Sequence, residues 1–306
     1  MAAQACAPSD QPEAEGQLEP SVEIATAEGM RPSGVSINGV SINGVSINGV
    51  SINGVSINGV SINGVSGSEL VGETADGTPY GGAAFVGAEL EGELPSDTLP
   101  LRVDGARAAG DVWYYKISYD AGSGWQSLCG LDGGGNPVEA VALAGRWNMN
   151  QGVPDGGAWI NDPAAFTFGC RTAALAKCVD LGYKPWASAG AVSLRDHHQA
   201  CTRMLRADYC GDGRSWTVNG TPINLYDGIG IQNDTTSWKI EAEWTATGAR
   251  FITTSSSQAR LKLTTGTPPA CFTQRVSSAT GDLAHFSTGT LLMSEFEQTD
   301  DDDGDD

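Results

Sequence analysis

A five-residue register of apolar, polar and glycine positions runs through residues 34–94 and is the longest pattern in the chain. Six identical copies of Gly-Val-Ser-Ile-Asn occupy residues 34–63, and glycine then recurs at the same spacing after one shift of phase at Gly67. The residues three positions after these glycines are Ile37, Ile42, Ile47, Ile52, Ile57, Ile62, Leu70, Ala75, Tyr80, Phe85 and Leu90. Because the imperfect copies keep both the glycine and this apolar position, the register indicates a structural constraint.

Each copy favours a short extended segment that ends in a turn, since Val and Ile two residues apart face one side and Asn-Gly favours a turn. Successive copies would then wind into a square coil with Val and Ile inward. The units at 35–39 and 88–92 resemble those of the pentapeptide-repeat family. That resemblance implies a short right-handed β-solenoid, and a flexible stalk is the alternative. Both interpretations give the segment a role in spacing or surface presentation.

Beyond residue 98 the register gives way to the alternation that is typical of β-strands. Two strands are predicted over 99–103 and 112–119, with a turn at Asp104-Gly105 between them. The segment 215–226 predicts a hairpin around Asn219-Gly220, because that dipeptide favours tight hairpin turns. Further strands are predicted at residues 125–128, 138–147, 238–244 (an amphipathic one), 251–252 and 261–263.

Two helices are predicted between these strands. Residues 172–181 are rich in Ala, Leu and Lys, with Thr172 or a neighbour as the N-cap and Gly182 after the end. A second helix is predicted from Ser193, as N-cap, to Ala207. The fold class that follows is α+β: a small disulfide-stabilised mixed domain with two helices and antiparallel strands, preceded by a short pentapeptide-repeat β-solenoid or stalk.

Composition narrows the classes of function. The net charge is −20 and the sequence pI is about 4.3, so the surface repels phosphate backbones and nucleic-acid binding is not expected. Residues 295–306 hold eight of the carboxylates and predict a disordered, solubilising tail. A fragment of a calcium loop is the alternative for this tail, although the closing Glu of such a loop is missing. No apolar run reaches the length of a membrane span.

Six cysteines indicate an oxidising compartment and up to three disulfides. The disulfide candidates are Cys129, Cys170, Cys178, Cys201, Cys210 and Cys271. Their pairing stays open, because six cysteines allow fifteen schemes. The seventh, Cys6, follows Ala3-Gln4-Ala5 and is a candidate for lipidation, which would supply a lipid anchor.

The densest group of reactive side chains lies in residues 197–213. His197 and His198 with Asp196 or Asp208 are the candidates for an acid–base group. A zinc site of His197, Cys201 and Cys210, or a Cys201 nucleophile activated by His197, are further alternatives. The structural interpretation is that the cysteines form disulfides pinning the helices. It makes Asp208 the ion-pair partner of Arg203 and Arg206 at the helix end, and no metal or cofactor is predicted.

Four tryptophans have two interpretations as well. They could line a carbohydrate groove or belong to the core, and core positions are the commoner place for Trp on strands. These residues are Trp186, Trp216, Trp238 and Trp244.

The middle of the chain resembles the ADYC-domain family, named for the motif that stands here at residues 207–210. The supporting matches are Gly169-Cys170-Arg171, Ala176-Lys177-Cys178-Val179, Gly182-Tyr183-Lys184-Pro185-Trp186, His198-Gln-Ala200-Cys201-Thr-Arg203-Met204, Cys210-Gly211-Asp212-Gly213 and Glu241-Ala242-Glu243-Trp244. They span about residues 100–255. The resemblance implies a secreted or envelope protein of bacteria, and it implies no catalytic roles.

The sequence therefore predicts four segments. These are a signal remnant and disordered linker at 1–33, repeats at 34–94, a disulfide-rich domain at 95–275 and an acidic, largely disordered tail at 276–306. The expected function is that of an exported structural or binding module with an envelope or surface ligand, and it leans away from an enzyme. A hydrolase of envelope polymers that uses the His/Asp group is the alternative.

Overall fold

The computed structural model describes residues 51–52, 56–57, 60–93, 98–120, 122–217, 220–235, 238–253, 260, 268–277 and 286–296. The strands are β1 Ser51–Ile52, β2 Ser56–Ile57, β3 Val60–Ser66, β4 Glu69–Thr74, β5 Pro79–Gly81, β6 Glu89–Glu93, β7 Thr98–Ala109, β8 Val112–Asp120, β9 Trp125–Ser127, β10 Ala140–Ala144, β11 Arg146–Trp147, β12 Trp159–Ile160, β13 Phe166–Cys170, β14 Ser188–Ala189, β15 Val192–Ser193, β16 Asn224–Asp227, β17 Lys239–Thr245, β18 Gly248–Thr253, β19 Val276–Ser277 and β20 Leu292–Phe296. The helices are α1 Ala174–Asp180, α2 Arg195–Leu205 and α3 Ala270–Arg275, with a 3₁₀ turn at Gly82–Phe85.

The first large sheet closes on itself as a barrel. Its strand order is β10-β13-β1-β6-β7-β8-β9, and a pairing of Ala140 with Tyr115 joins β10 back to β8. The predicted strands at 99–103 and 112–119 form, but the predicted turn at Asp104-Gly105 is wrong. The chain passes residues 103–105 as a bulge inside β7 and turns only at Gly110 and Asp111. A bulge absorbs one unpaired residue without ending the strand, which is why the local turn pattern misleads here.

The described part of the repeat segment forms antiparallel hairpins. Strands β2 to β5 pair in chain order, each antiparallel to the next. A solenoid would stack its segments in parallel, so the predicted solenoid is wrong for residues 60–81, and residues 34–50 lie outside the described residues. The single phase shift in the register has a structural meaning, because Gly67 and Ser68 make the turn between β3 and β4 with Gly67 at φ 65°.

The apolar position of the register nevertheless packs inward. Ile62, Leu70, Phe85 and Leu90 are buried in one core with the barrel side chains. The backbone N–H of Leu70 donates to the Tyr115 hydroxyl at 2.8 Å, which fixes the repeat-derived sheet onto the barrel. The degenerate copies are thus constrained by packing against the following domain.

A second, five-stranded sheet has the order β16-β20-β17-β18-β19. Helix α2 packs on its strands β17, β18 and β20, while α1 packs on α2 and β13. The predicted hairpin over 215–226 is not found in the described residues of that segment, where β16 is the one strand and pairs with β20; residues 218–219 lie outside the described residues. The tail predicted over 276–306 as largely disordered contains one ordered strand, because β20 at 292–296 lies between β16 and β17. The strand predicted at 261–263 and the acidic run at 297–306 lie outside the described residues.

Both predicted helices form, without the predicted caps. Helix α1 follows Ala173, and the Thr172 hydroxyl is buried with no hydrogen-bond partner. Helix α2 follows Leu194, and the Ser193 hydroxyl accepts from the backbone N–H of Arg195 at 3.3 Å. The described residues therefore form a mostly β structure with three short helices, one more than predicted. No helix among them is long and apolar enough to cross a membrane.

Candidate functional site

Helix α2 carries the two predicted histidines, and their rings are buried in different surroundings. His197 and His198 are 4 % and 1 % exposed. The ring of His197 stacks on Tyr183 with 6.3 Å between centroids, while His198 meets Trp147 edge-on at 6.0 Å. The Nε2–H of His198 donates to the carbonyl oxygen of Leu175 at 2.9 Å. Both imidazoles are therefore almost fully shielded from solvent.

The electrostatics of the two rings favour neutral imidazole. Burial lowers the pKa of His198 to about 4. Burial also lowers the pKa of His197, against the opposing negative charge of Asp227. No hydrogen bond within the described residues joins either ring to Asp196 or Asp208. The structure therefore does not bring the predicted acid–base group together.

The His198 pKa gives a prediction for acid stability. A histidine whose folded pKa lies below its unfolded value near 6.5 stabilises the fold fully above pH 6.5, and that contribution is lost as pH falls towards 4. We expect the free energy of unfolding to fall by roughly 2–3 kcal/mol across this window through His198. His198→Gln keeps an N–H donor for Leu175 and should flatten the decline measured by urea unfolding at several pH values. An unchanged slope would contradict the burial of this ring.

The C-terminal end of α2 is a left-handed turn at Ala207. The backbone N–H of Ala207 donates to Met204 O, and that of Asp208 donates to Arg203 O, both at 2.9 Å. This pair of bonds is the Schellman arrangement, in which the residue after the helix adopts positive φ. Ala207 has φ 51° and is fully buried, although glycine is the usual residue at this position. The turn reverses the chain and directs Asp208 back towards the helix.

Asp208 binds the helix to the loop that follows. Its carboxylate pairs with the Arg203 guanidinium, and the two side chains are 0 % and 3 % exposed. It also accepts from the backbone N–H groups of Asp212 at 3.1 Å and Gly213 at 3.0 Å. Burial raises the pKa of Asp208, and the positive charge of Arg203 opposes that rise. The predicted helix-end ion pair with Arg203 is confirmed, whereas Arg206 instead donates to Gly213 O.

Three loops meet at this ion pair through glycines. The loop at 148–157 and the loop at 208–213 touch backbone to backbone, because a methyl group on Gly156 would lie 2.1 Å from Asp212 O. One on Gly211 would lie 2.0 Å from the carbonyl oxygen of Thr247, in the turn between β17 and β18. Arg203 also donates to the carbonyl oxygen of Gly156. The glycines of the Cys-Gly-Asp-Gly motif are thus required by close packing.

Gly213→Ala tests this packing. At φ 82°, its methyl group would lie 2.5 Å from Asn150 O and 2.8 Å from the carbonyl carbon of Gly156. We expect the free energy of unfolding to fall by about 3 kcal/mol, the sum of left-handed strain and overpacking. The matched control is Gly135→Ala, at φ 77° with nothing within 4 Å, which carries the strain alone and should lose about 1 kcal/mol. Equal losses in chemical denaturation would show that the loop contacts contribute nothing.

Tyr209 leads into a buried charged network that the sequence did not reveal. Its hydroxyl donates to Glu241 Oε1 at 2.7 Å, and Arg260 Nε donates to the same oxygen at 2.6 Å. Ser294 of β20 donates to Glu241 Oε2 at 2.6 Å. Arg260 also donates to Met204 O in α2 at 2.7 Å. The amphipathic pattern of 238–244 predicts one polar face for β17, yet Glu241 and Glu243 are both fully buried and hydrogen-bonded.

The six predicted disulfide cysteines are all paired. The bonds are Cys129–Cys170, Cys178–Cys201 and Cys210–Cys271. The second joins α1 to α2, and the third joins the Ala207 turn to α3. Because Cys201 and Cys210 are bonded to different partners, the alternatives of a zinc site and of a Cys201 nucleophile are both wrong. The described residues also contain no group of three or more His, Cys, Asp or Glu able to hold a metal ion.

The tryptophans proposed for a carbohydrate groove do not form one surface. Trp244 is fully buried in the core under α2 and donates to the Ser294 hydroxyl at 2.8 Å. Trp216 packs on the same core, whereas Trp186 packs on the cluster around Trp147. Trp238 is half-buried at the start of the β17 region. The core interpretation is therefore correct for Trp244.

Each residue of the Ala207-to-Cys210 motif thus has a distinct role in the structure. Ala207 forms the turn, Asp208 the ion pair and Cys210 the disulfide, and the ring of Tyr209 lies in the core. The family model for the ADYC domain matches residues 82–258, which is more than half of the chain. The chain belongs to the ADYC-domain family. No curated protein and no solved structure matches it. The ADYC match ends before α3 and β20, although Cys271 and Ser294 complete contacts of the matched residues.

Proposed function

We propose that this ADYC-domain protein is exported and serves as a structural or binding module of the cell envelope or the extracellular space. One observation carries the proposal: four of the reactive groups in residues 197–213 are engaged inside the fold. Cys201 and Cys210 are in disulfides, Asp208 is paired with Arg203, and His198 donates to a backbone carbonyl. Side chains used in this way hold a structure and are not available for substrate.

The disulfides support the proposed compartment. Three of them in one chain favour an oxidising environment, since cytosolic reductants keep thiols reduced. Lipidation at Cys6 would hold the domain at a membrane surface through the segment that precedes it. The charge of −20 suits a soluble surface domain that does not bind nucleic acid.

The first experiment tests the compartment. The chain is produced with and without an added export signal, and non-reduced peptides are mapped by mass spectrometry after alkylation of free thiols. The exported chain should show the three pairings, and the cytosolic chain should show alkylated cysteines and lose its cooperative thermal transition. A cytosolic chain that folds equally well with all six thiols reduced would overturn the proposal.

The second experiment separates binding from hydrolysis of envelope polymers, the alternative function. Purified peptidoglycan sacculi are mixed with the protein, and both sedimented protein and released soluble fragments are measured. Co-sedimentation without fragments supports a binding module. Fragment release that His198→Gln abolishes, while the thermal midpoint is kept, would establish the hydrolase in its place. The imidazole geometry leads us to expect no release, because both rings are almost fully buried.

A further inference from the structure

The strand β1 completes the barrel with only two residues of the repeat segment. Ser51 and Ile52 pair antiparallel with Glu93 and Gly92 of β6 on one side. On the other side they pair antiparallel with β13, where Ser51 faces Thr167 and Ile52 faces Phe166. The backbone edges of β6 and β13 that face β1 are called here the β6–β13 seat. A Ser-Ile dipeptide fills it.

The same dipeptide occurs six times in identical surroundings. Every copy has Gly-Val before it and Asn-Gly after it. The copies at 51–52, 56–57 and 61–62 lie in β1, β2 and β3. Three more copies, at 36–37, 41–42 and 46–47, precede β1 in the sequence. They lie outside the described residues and are called here the spare copies.

The seat should bind every copy of the dipeptide equally well. Pairing in a sheet is made by backbone groups and by the residues at each register position, and a shift of five residues reproduces both. A two-residue strand also makes few ladder hydrogen bonds, so its hold on the seat is weak. When β1 leaves, β6 and β13 each present an unpaired edge, which is a template for an added strand from another chain.

We propose that the β6–β13 seat binds a spare copy of the repeat from a second molecule of this chain. Each molecule then offers one seat and three spare copies. Reciprocal donation between two molecules closes a dimer, and head-to-tail donation builds open chains of molecules. The chain's own β1 competes with the donated copy for the seat, and its covalent link to the same molecule gives it a high effective concentration. Exchange between molecules should therefore increase with protein concentration and with crowding at a surface.

The distribution of charge along the chain supports the repeat as the segment that one molecule donates to another. The protein carries −20 overall, so two domains repel one another. Residues 34–63 contain no charged residue, so the donated segment enters the seat without that repulsion. Added salt screens the domains from each other and should increase the assembly.

The first test removes the spare copies and leaves β1 in place. Deletion of residues 34–48 takes out three whole copies, and every described contact of the fold remains. Sedimentation velocity over a range of concentrations should show the wild type rising in mass about twofold or more, with the deletion variant staying monomeric. Their thermal midpoints should agree. Self-association of the deletion variant equal to that of the wild type, or a monomeric wild type at every concentration and salt level, would overturn the proposal.

The second test reads the register by disulfide trapping, with Cys6→Ser in every chain. One tagged chain carries Glu93→Cys. The other carries Ser46→Cys, which a five-residue shift places where Ser51 faces Glu93. Asn48→Cys is the matched control, because it lies two residues further along the same spare copy. Paired strand positions are within disulfide reach, so mild oxidation should join the Ser46→Cys chain to its partner several-fold more than the control. Equal yields from the two, or cross-links confined to single molecules when both cysteines share a chain, would refute a second molecule as the occupant.

Discussion

Asp208→Ala is expected to lower the free energy of unfolding by about 3–5 kcal/mol, which is a large part of the stability of an ordinary domain. The substitution leaves the Arg203 guanidinium buried without its counter-charge, at 3 % exposure. It also removes the acceptor of the Asp212 and Gly213 backbone N–H groups, which hold the loop after the helix. Urea unfolding followed by tryptophan fluorescence measures the loss.

Two comparisons make the Asp208 result decisive. Asp104→Ala breaks an Arg–Asp pair with Arg102 in which both side chains are 34 % exposed, and it should cost under about 1 kcal/mol. The double variant Arg203→Met with Asp208→Asn should lose less than the sum of its single variants, because no unpaired charge stays buried. A loss at Asp208 no larger than that at Asp104 would mean that the buried pair does not brace this helix end.

Replacing both Cys178 and Cys201 by alanine is expected to cost about 3–5 kcal/mol. The bond closes a loop of 23 residues, and its removal gives the unfolded chain more freedom. Both cysteines are fully buried between α1 and α2, so the truncated side chains also leave a small cavity. The thermal midpoint, measured by circular dichroism, should fall by many degrees.

The control for this disulfide is Cys6→Ser. The six cysteines of the described residues are paired with one another, so Cys6→Ser should leave the thermal midpoint of the domain unchanged. Reduction of the wild type should reproduce the loss seen in the double variant or exceed it, since two further disulfides break. A double variant as stable as the wild type would show that α1 and α2 are held by their apolar contacts alone.

Local sequence patterns located most elements of the ADYC domain. Strands β7, β8 and β17 follow the alternation of apolar residues, and α1 and α2 follow their helix-forming runs. The ion pair of Asp208 with Arg203 was also predictable, because five residues at a helix end keep both groups within reach. These features depend on neighbours in sequence, and there periodicity and spacing carry the information.

Patterns failed where a distant segment supplies the partner. Nothing near residues 238–244 indicates that Glu241 is buried, since Arg260 and Ser294 neutralise and bind it from elsewhere in the chain. The hairpin at 215–226 failed for the same reason, because β20 takes the place beside β16. The sequence of a strand indicates which residues share a face of the sheet, but not which strand pairs with it.

The candidate site changed most between sequence and structure. The cluster of His, Cys, Asp and Arg residues on α2 suggests a catalytic or metal site as long as only residue types and spacing are known. In the structure both imidazoles are buried, and Cys201 is bonded to Cys178. Exposure and disulfide pairing are properties of the folded chain, so no reading of the motif alone decides between the two.

By itself, the sequence determined the repeat register, the six cysteines that are candidates for disulfides, the acidic charge and the family motif. Each of these depends only on residue types and their spacing. Only the tertiary structure decided that the described part of the repeat forms antiparallel hairpins and that Ser51 and Ile52 form a strand of the barrel. It also decided the three disulfide pairings and placed β20 within the second sheet. The physical reason is that backbone pairing and disulfides join residues far apart in the chain, and identical copies or equivalent cysteines are distinguished only by where packing puts them.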